Sequence, residues 1–235
     1  MYNLCKENLK VGECLILQDF SRNRDIFHRD EIKACYWSKK QVTMHPTVIY
    51  CKVEENKPPI RIVITHLSDI TSHDAHIVYH ITKYCIEYVC ETLPGIEWQK
   101  FYVWSDGCAS QYKGKHSFYY LAKFGVDIER NYFGSEHGKG ESDLETAIYS
   151  KKISLAVKSD SAVINDAYEM CNFLYNTTDK NSGRIFVLIK ESDMEKIYQD
   201  FEGIYVNTLS GSCTRSLHQI RYSQRGDDFL IRPFS

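Results

Sequence analysis

The chain has 235 residues, 43% of them apolar, and a formal net charge of −2; it is long enough to bury a sizeable core, and its charge balance neither requires nor forbids a nucleic-acid partner. Apolar residues never run unbroken for eighteen positions, which excludes a helical membrane span, and the opening Met1–Lys6 lacks the apolar stretch of a signal peptide. Nine cysteines, an odd count with no Cys-x-x-Cys pair, predict a reduced intracellular chain without a structural zinc module.

In chain order, Glu13 to Phe20 is a mostly apolar run suited to a buried strand, and Ala34 to Trp37 and Gln41 to Lys52 read as further strand. The break Glu54-Glu55-Asn56-Lys57-Pro58-Pro59 predicts a hairpin turn before the strand Ile60 to Thr65, so three strands form an antiparallel meander. Ser72 and Asp74 offer N-cap oxygens to a helix in which Ile77, Ile81, Tyr84, Cys85 and Tyr88 recur at helical spacing until Pro94-Gly95. A strand at Phe101 to Ser105, a short helix at Ser117 to Phe124 and a short polar-flanked strand at Arg130 to Gly134 follow. Ser142 to about Tyr175 is helical in character, with an interruption near Lys158–Ser161. Two strand candidates, Arg184 to Ile189 and Gly203 to Asn207, surround a helix before a polar, basic stretch from Ser216 to Arg232. This order predicts a mixed α/β sheet with helices on its faces.

Three acids stand where strand-rich sequence gives way to polar or helical sequence. Asp19 ends the first apolar run, Asp106 follows Phe101–Ser105, and Asp143 opens a helix after the loop His137-Gly138-Lys139-Gly140. Carboxylates at strand ends, distant in sequence, are what a two-metal phosphoryl-transfer site requires, since each Mg²⁺ or Mn²⁺ takes hard oxygen ligands on a rigid frame. Glu145 competes with Asp143 as third ligand, because the two point about 200° apart around a helix and cannot both face one site. Lys113, Lys115, His137 and Lys139 flank the acids and suit phosphate positioning, with Gly138 and Gly140 admitting backbone N–H groups. The loop His137–Gly140 lacks P-loop spacing, so no nucleotide cofactor is expected. Gly-x-Ser-x-Gly is absent, which removes one serine-hydrolase signature. His73, His76 and His80 read as a polar helix face.

Several segments look like motifs of a widespread set of transposon-derived proteins of animals. They are Asp19-Phe20-Ser21-Arg22-Asn23, Trp37 to Pro46, Leu67 to Ala75, Trp104 to Lys113 and Ser135 to Asp143, with a fainter one at Gly211 to Ser216. The element order and the acids resemble the ribonuclease H-like DDE/D catalytic core of transposases and integrases. The resemblance implies a five-stranded mixed sheet with helices on both faces over residues 10–180 and a C-terminal α/β extension over 181–235. It further implies a metal site of Asp19, Asp106 and Asp143, two Mg²⁺ or Mn²⁺ ions, strand cleavage and transfer on double-stranded DNA, and residence in the nucleus; a homo-oligomer is compatible with it. Arg22, where members of the set carry an acid, and the missing glycines after Asp143 favour an alternative, an inactive remnant that binds DNA or protein. A 3′–5′ exonuclease uses the same fold but places Asp-x-Glu on the first strand, where this chain has Ser21.

Overall fold

The computed structural model describes residues 1–21, 23–26, 40–108, 110–134, 140–204, 217–223 and 228–233. A short helix α1 (Tyr2–Glu7) leads into β1 (Glu13–Gln18), β2 (Arg24–Asp25), β3 (Gln41–Cys51) and β4 (Ile60–Ser68). The chain continues through α2 (Ala75–Thr92), β5 (Lys100–Ser105), α3 (Lys115–Leu121), β6 (Ile128–Tyr132), α4 (Glu141–Lys158) and α5 (Ala167–Thr177). It closes with β7 (Arg184–Leu188), α6 (Glu191–Phe201), β8 (Leu217–Ser223) and β9 (Asp228–Pro233).

The nine strands of the described residues join one sheet, in the order β7-β4-β3-β1-β5-β6-β8-β9, with β2 paired to β3. At its centre β3 runs antiparallel to both β1 and β4, while β5 and β6 run parallel to β1. β7 adds to β4 in parallel and β8 to β6 antiparallel. Side chains alternate between the two faces of a strand, so each element divides its apolar residues between two cores. Cys14 and Ile16 of β1, Ile49 of β3, Ile64 of β4 and Val103 of β5 face the side covered by α2, α3 and α6. Leu15, Leu17, Val48, Val63 and Trp104 face the opposite side, where α1 packs, and Met44 and Leu67 meet α4 and α5. β3 is buried on both faces over nearly its whole length, polar Thr43, His45 and Thr47 included.

The sheet is wider than the five strands expected. The segment after residue 180 is continuous with it, since β7 extends one side and the β8–β9 hairpin the other. In β8 the alternation is mostly polar because Gln219 meets polar partners across β6: its Nε2 donates to Glu129 Oε1 at 2.7 Å and to Asn131 Oδ1 at 2.9 Å. Asp74 caps α2 as predicted, accepting from the backbone N–H of His76 and Ile77. The strand candidate Ala34 to Trp37, residues 205–207 and the segment Gly211 to Ser216 lie outside the described residues. Among the described residues no helix is long and apolar enough to cross a membrane.

Candidate functional site

Asp19 owes its position to a proline on the neighbouring strand. The β1–β3 ladder ends at the pair Gln18 and Thr47, and the next residue of β3 is Pro46. Met44 and Lys52, of the same parity as Pro46, turn their backbone polar groups toward β1: Met44 O accepts from Ser21 N at 3.2 Å, and Lys52 N donates to Glu13 O at 3.1 Å. Pro46 therefore has no donor on the β1 side, and the ladder stops there without a stranded N–H. Beyond it the Ser21 N–H meets Met44 O, and Arg24–Asp25, as β2, pair with the same edge of β3, where Arg24 pairs with Val42. Asp19 stands at this break in the ladder.

Asp106 comes from the adjacent parallel strand. Leu17 is in register with Trp104, so extending both chains by two residues sets Asp19 beside Asp106, on the face shared by Leu17 and Trp104. A tight turn holds Asp106, whose Oδ1 accepts from Cys108 N at 3.0 Å. Gly107 faces the Lys113 ammonium: a Cβ there would stand 3.0 Å from Lys113 Nζ. Lys113 is only 6% exposed, its ammonium 4.5 Å from the centroid of the Tyr132 ring. Burial lowers its pKa, and the nearby Asp106 charge opposes that shift. Lys113 therefore lies beneath the Asp106 turn, whereas Lys115 opens α3 and is exposed.

A cleft of about 450 Å³ opens over the pair, and Asp19, Asn23, Gln41, His73, Asp106 and Gln111 are among its lining residues. Four segments singled out as motifs meet here, although as many as 92 positions separate Asp19 from Gln111. Phe20 forms part of the wall, stacked on His73 at 4.2 Å and set edge-on to buried His45 at 4.3 Å. His73 Nε2 lies 2.8 Å from Asn23 Oδ1, which ties Asn23 to the approach of α2. His73 precedes that helix and His76 contacts Tyr120 OH at 2.5 Å, so the expected polar face of His73, His76 and His80 is divided between different surroundings.

Burial, then the charges of Asp106 and Asp143, push the Asp19 carboxyl up to about 7. The Asp19 carboxyl thus senses the charge of both other acids. Asp143, in the exposed first turn of α4, stands off from the pair: among the described residues no group of three or more His, Cys, Asp or Glu side chains is close enough to hold a metal ion together. The Asp19–Asp106 pair fits a hard cation in donor chemistry, since both ligands are carboxylates and a cation would relieve the repulsion that raises Asp19.

Glu145, the competing third ligand, turns away from the cleft into ion pairs. Its carboxylate accepts from Arg61 Nη2 at 2.9 Å, from Arg184 Nε at 2.7 Å and Nη2 at 2.9 Å, and from Tyr149 OH at 2.7 Å. One turn earlier, Glu141 accepts from Lys6 Nζ at 3.0 Å and from Tyr50 OH. The two glutamates fasten the first turns of α4 to α1, β3, β4 and β7, leaving Asp143 on the opposite side of the helix. His137, Lys139 and Arg22 lie outside the described residues. Sequence reasoning missed His73 and Gln111 as cleft residues; their presence inside the motif segments was the available signal.

Fold and site together define a mixed α/β domain that presents two carboxylates just past the ends of two parallel strands. The chain belongs to the domain family of unknown function DUF8701, whose model matches residues 1–234. No functionally described protein matches it in sequence.

Proposed function

We propose that this domain is a ribonuclease H-like, DDE/D-type catalytic core that cleaves and transfers DNA strands with Mg²⁺ or Mn²⁺. The observation that carries the reading is the meeting of Asp19 and Asp106, from strands that pair in register, in a cleft lined by the motif segments. The central order β4-β3-β1-β5-β6, with β3 alone reversed relative to β1, β5 and β6, supports the fold assignment. When bound, the cation makes a water or a DNA 3′-hydroxyl a better nucleophile and stabilises the leaving oxygen.

The chain's own residues supply the frame. Asp19 and Asp106 would be the first ligands, and Asp143, set apart on α4, would be the third. Glu145 is a structural carboxylate held by two arginines. His73, Asn23 and Gln111 line the cleft with polar groups suited to phosphate oxygens, beside the apolar wall of Phe20. Lys115 offers an ammonium to the DNA backbone from the start of α3. The DNA substrate in turn places the domain in the nucleus. Ser21 gives both its N–H and its hydroxyl to Met44 O and occupies the place where an exonuclease would carry glutamate, so strand transfer is preferred to 3′–5′ trimming.

Cleavage of end-labelled duplex DNA in Mn²⁺, comparing wild type with Asp106→Asn, tests the proposal. Cleavage by wild type and more than about a hundredfold loss in the variant are expected, with DNA binding retained, because the metal frame loses a charged ligand. Equal cleavage by both proteins rejects the site. The separation of Asp143 from the pair favours a second reading, an inactive remnant that binds DNA; inert wild type and variant with salt-sensitive binding would select it.

A further inference from the structure

We propose that Cys14 and Cys51 form an oxidative modification site, closing into a cross-strand disulfide. Cys14 of β1 and Cys51 of β3 are register partners, both 0% exposed, and their Sγ atoms are 2.9 Å apart. Lys52 exchanges backbone hydrogen bonds with the β1 side, donating to Glu13 O and accepting from Gly12 N. The polar backbone groups of the preceding residue, Cys51, therefore turn toward β4. This makes Cys14 and Cys51 a non-hydrogen-bonded antiparallel pair, the closely spaced kind, with Cα atoms roughly 4.5 Å apart. That spacing falls within the range of about 4.4–6.8 Å that a disulfide spans.

Neither thiol reaches solvent in the folded chain, so reaction waits on local opening of the β1–β3 pair. Burial holds the Cys14 thiol protonated, so the chemistry is slow and calls for an oxidant in excess. With a hydroperoxide, one thiol of the pair gives a sulfenic acid and the oxidant leaves as an alcohol or as water. The other thiol of the pair displaces water from that sulfenic acid and closes the Cys14–Cys51 disulfide. The balance is one hydroperoxide and two thiols consumed, with one disulfide, one water and one alcohol or second water formed. This bond would tie β1 to β3 upstream of Asp19, independently of the function proposed above.

The test is peptide mapping after treatment of the full chain with excess hydrogen peroxide, followed by alkylation and digestion without reductant. A linked Cys14–Cys51 peptide is expected in wild type, with Cys85 still reduced as a buried control. Oxidised wild type should melt several degrees higher, the gain being reversed by dithiothreitol and absent in Cys51→Ser. If Cys51→Ser does not fold, Cys14→Ala serves in its place, and the wild-type map decides without either. Recovery of Cys14 and Cys51 as separately alkylated peptides after the exposed Cys90 has oxidised overturns the proposal.

Discussion

Replacing Glu145 with glutamine separates a structural carboxylate from a metal ligand. Glu145 is 1% exposed and receives four hydrogen bonds from Arg61, Arg184 and Tyr149. Breaking a buried ion pair costs about 3–5 kcal/mol, but Arg61 and Arg184 retain 32% and 25% side-chain exposure and can rehydrate, so about 2–3 kcal/mol is expected. In a chain of this length that lowers the melting temperature by about 5–10 °C. Burial by itself would raise the Glu145 pKa, but the hydrogen bonds from Arg184, Tyr149 and Arg61 outweigh it, and the net shift is downward. Its stabilisation is therefore complete above the unfolded carboxylate value of about 4.3 and is lost as pH falls through the lower folded value. Thermal unfolding followed by circular dichroism should show a constant gap between wild type and Glu145→Gln from about pH 8 to pH 5, closing below about pH 4. Mn²⁺ titration of the same variant should leave affinity nearly unchanged, whereas Asp143→Asn weakens it. Equal melting temperatures at pH 7, or a gap that widens in acid, would refute the assignment of Glu145 to the ion-pair network.

Two further substitutions probe the frame. Asp19 has a folded pKa raised to about 7 by burial and by Asp106 and Asp143, so its protonated form is favoured in the fold and stability falls as pH rises from about 4 through 7. In EDTA at pH 8, Asp19→Asn should be more stable than wild type by about 1–2 kcal/mol after allowance for its partial exposure, with the gap gone at pH 4; a less stable variant at pH 8 contradicts this. Gly12 has φ +84°, and a Cβ there would stand 2.5 Å from the backbone oxygen of Glu97. Gly12→Ala should lower stability by about 2–4 kcal/mol in urea unfolding, and an unchanged midpoint would show that the turn relaxes freely.

Period and punctuation made the centre of the fold legible. The apolar run before Asp19, the strand after Pro58-Pro59 and the Asp74-capped helix lie close to where they were expected, because each depends on neighbours in sequence. β8 was hidden because its polar residues are satisfied across β6, and polar alternation carries no core signal. The fate of Glu145 was hidden for a different reason: it depends on Arg61 and Arg184, which are 84 and 39 positions away, and no local pattern brings them together. Asp19 and Asp106 were legible as strand-end acids; their register was not. The role of Pro46 emerged only once β1 and β2 were found on one edge of β3.

The placement of β7 and β8 on opposite sides of the sheet also has a cost during synthesis. β4 is complete at Ser68, yet the strand that covers its outer edge begins at Arg184, and β6 likewise waits from Tyr132 until Leu217. A ribosome adding roughly 5–20 residues per second leaves the β4 edge uncovered for several seconds or more. Throughout that interval the nascent chain presents an apolar strand edge able to pair with another copy. Translation pauses before Arg184 would lengthen the exposure, making expression yield sensitive to codon choice in the α4–α5 region even though no residue of the finished protein changes.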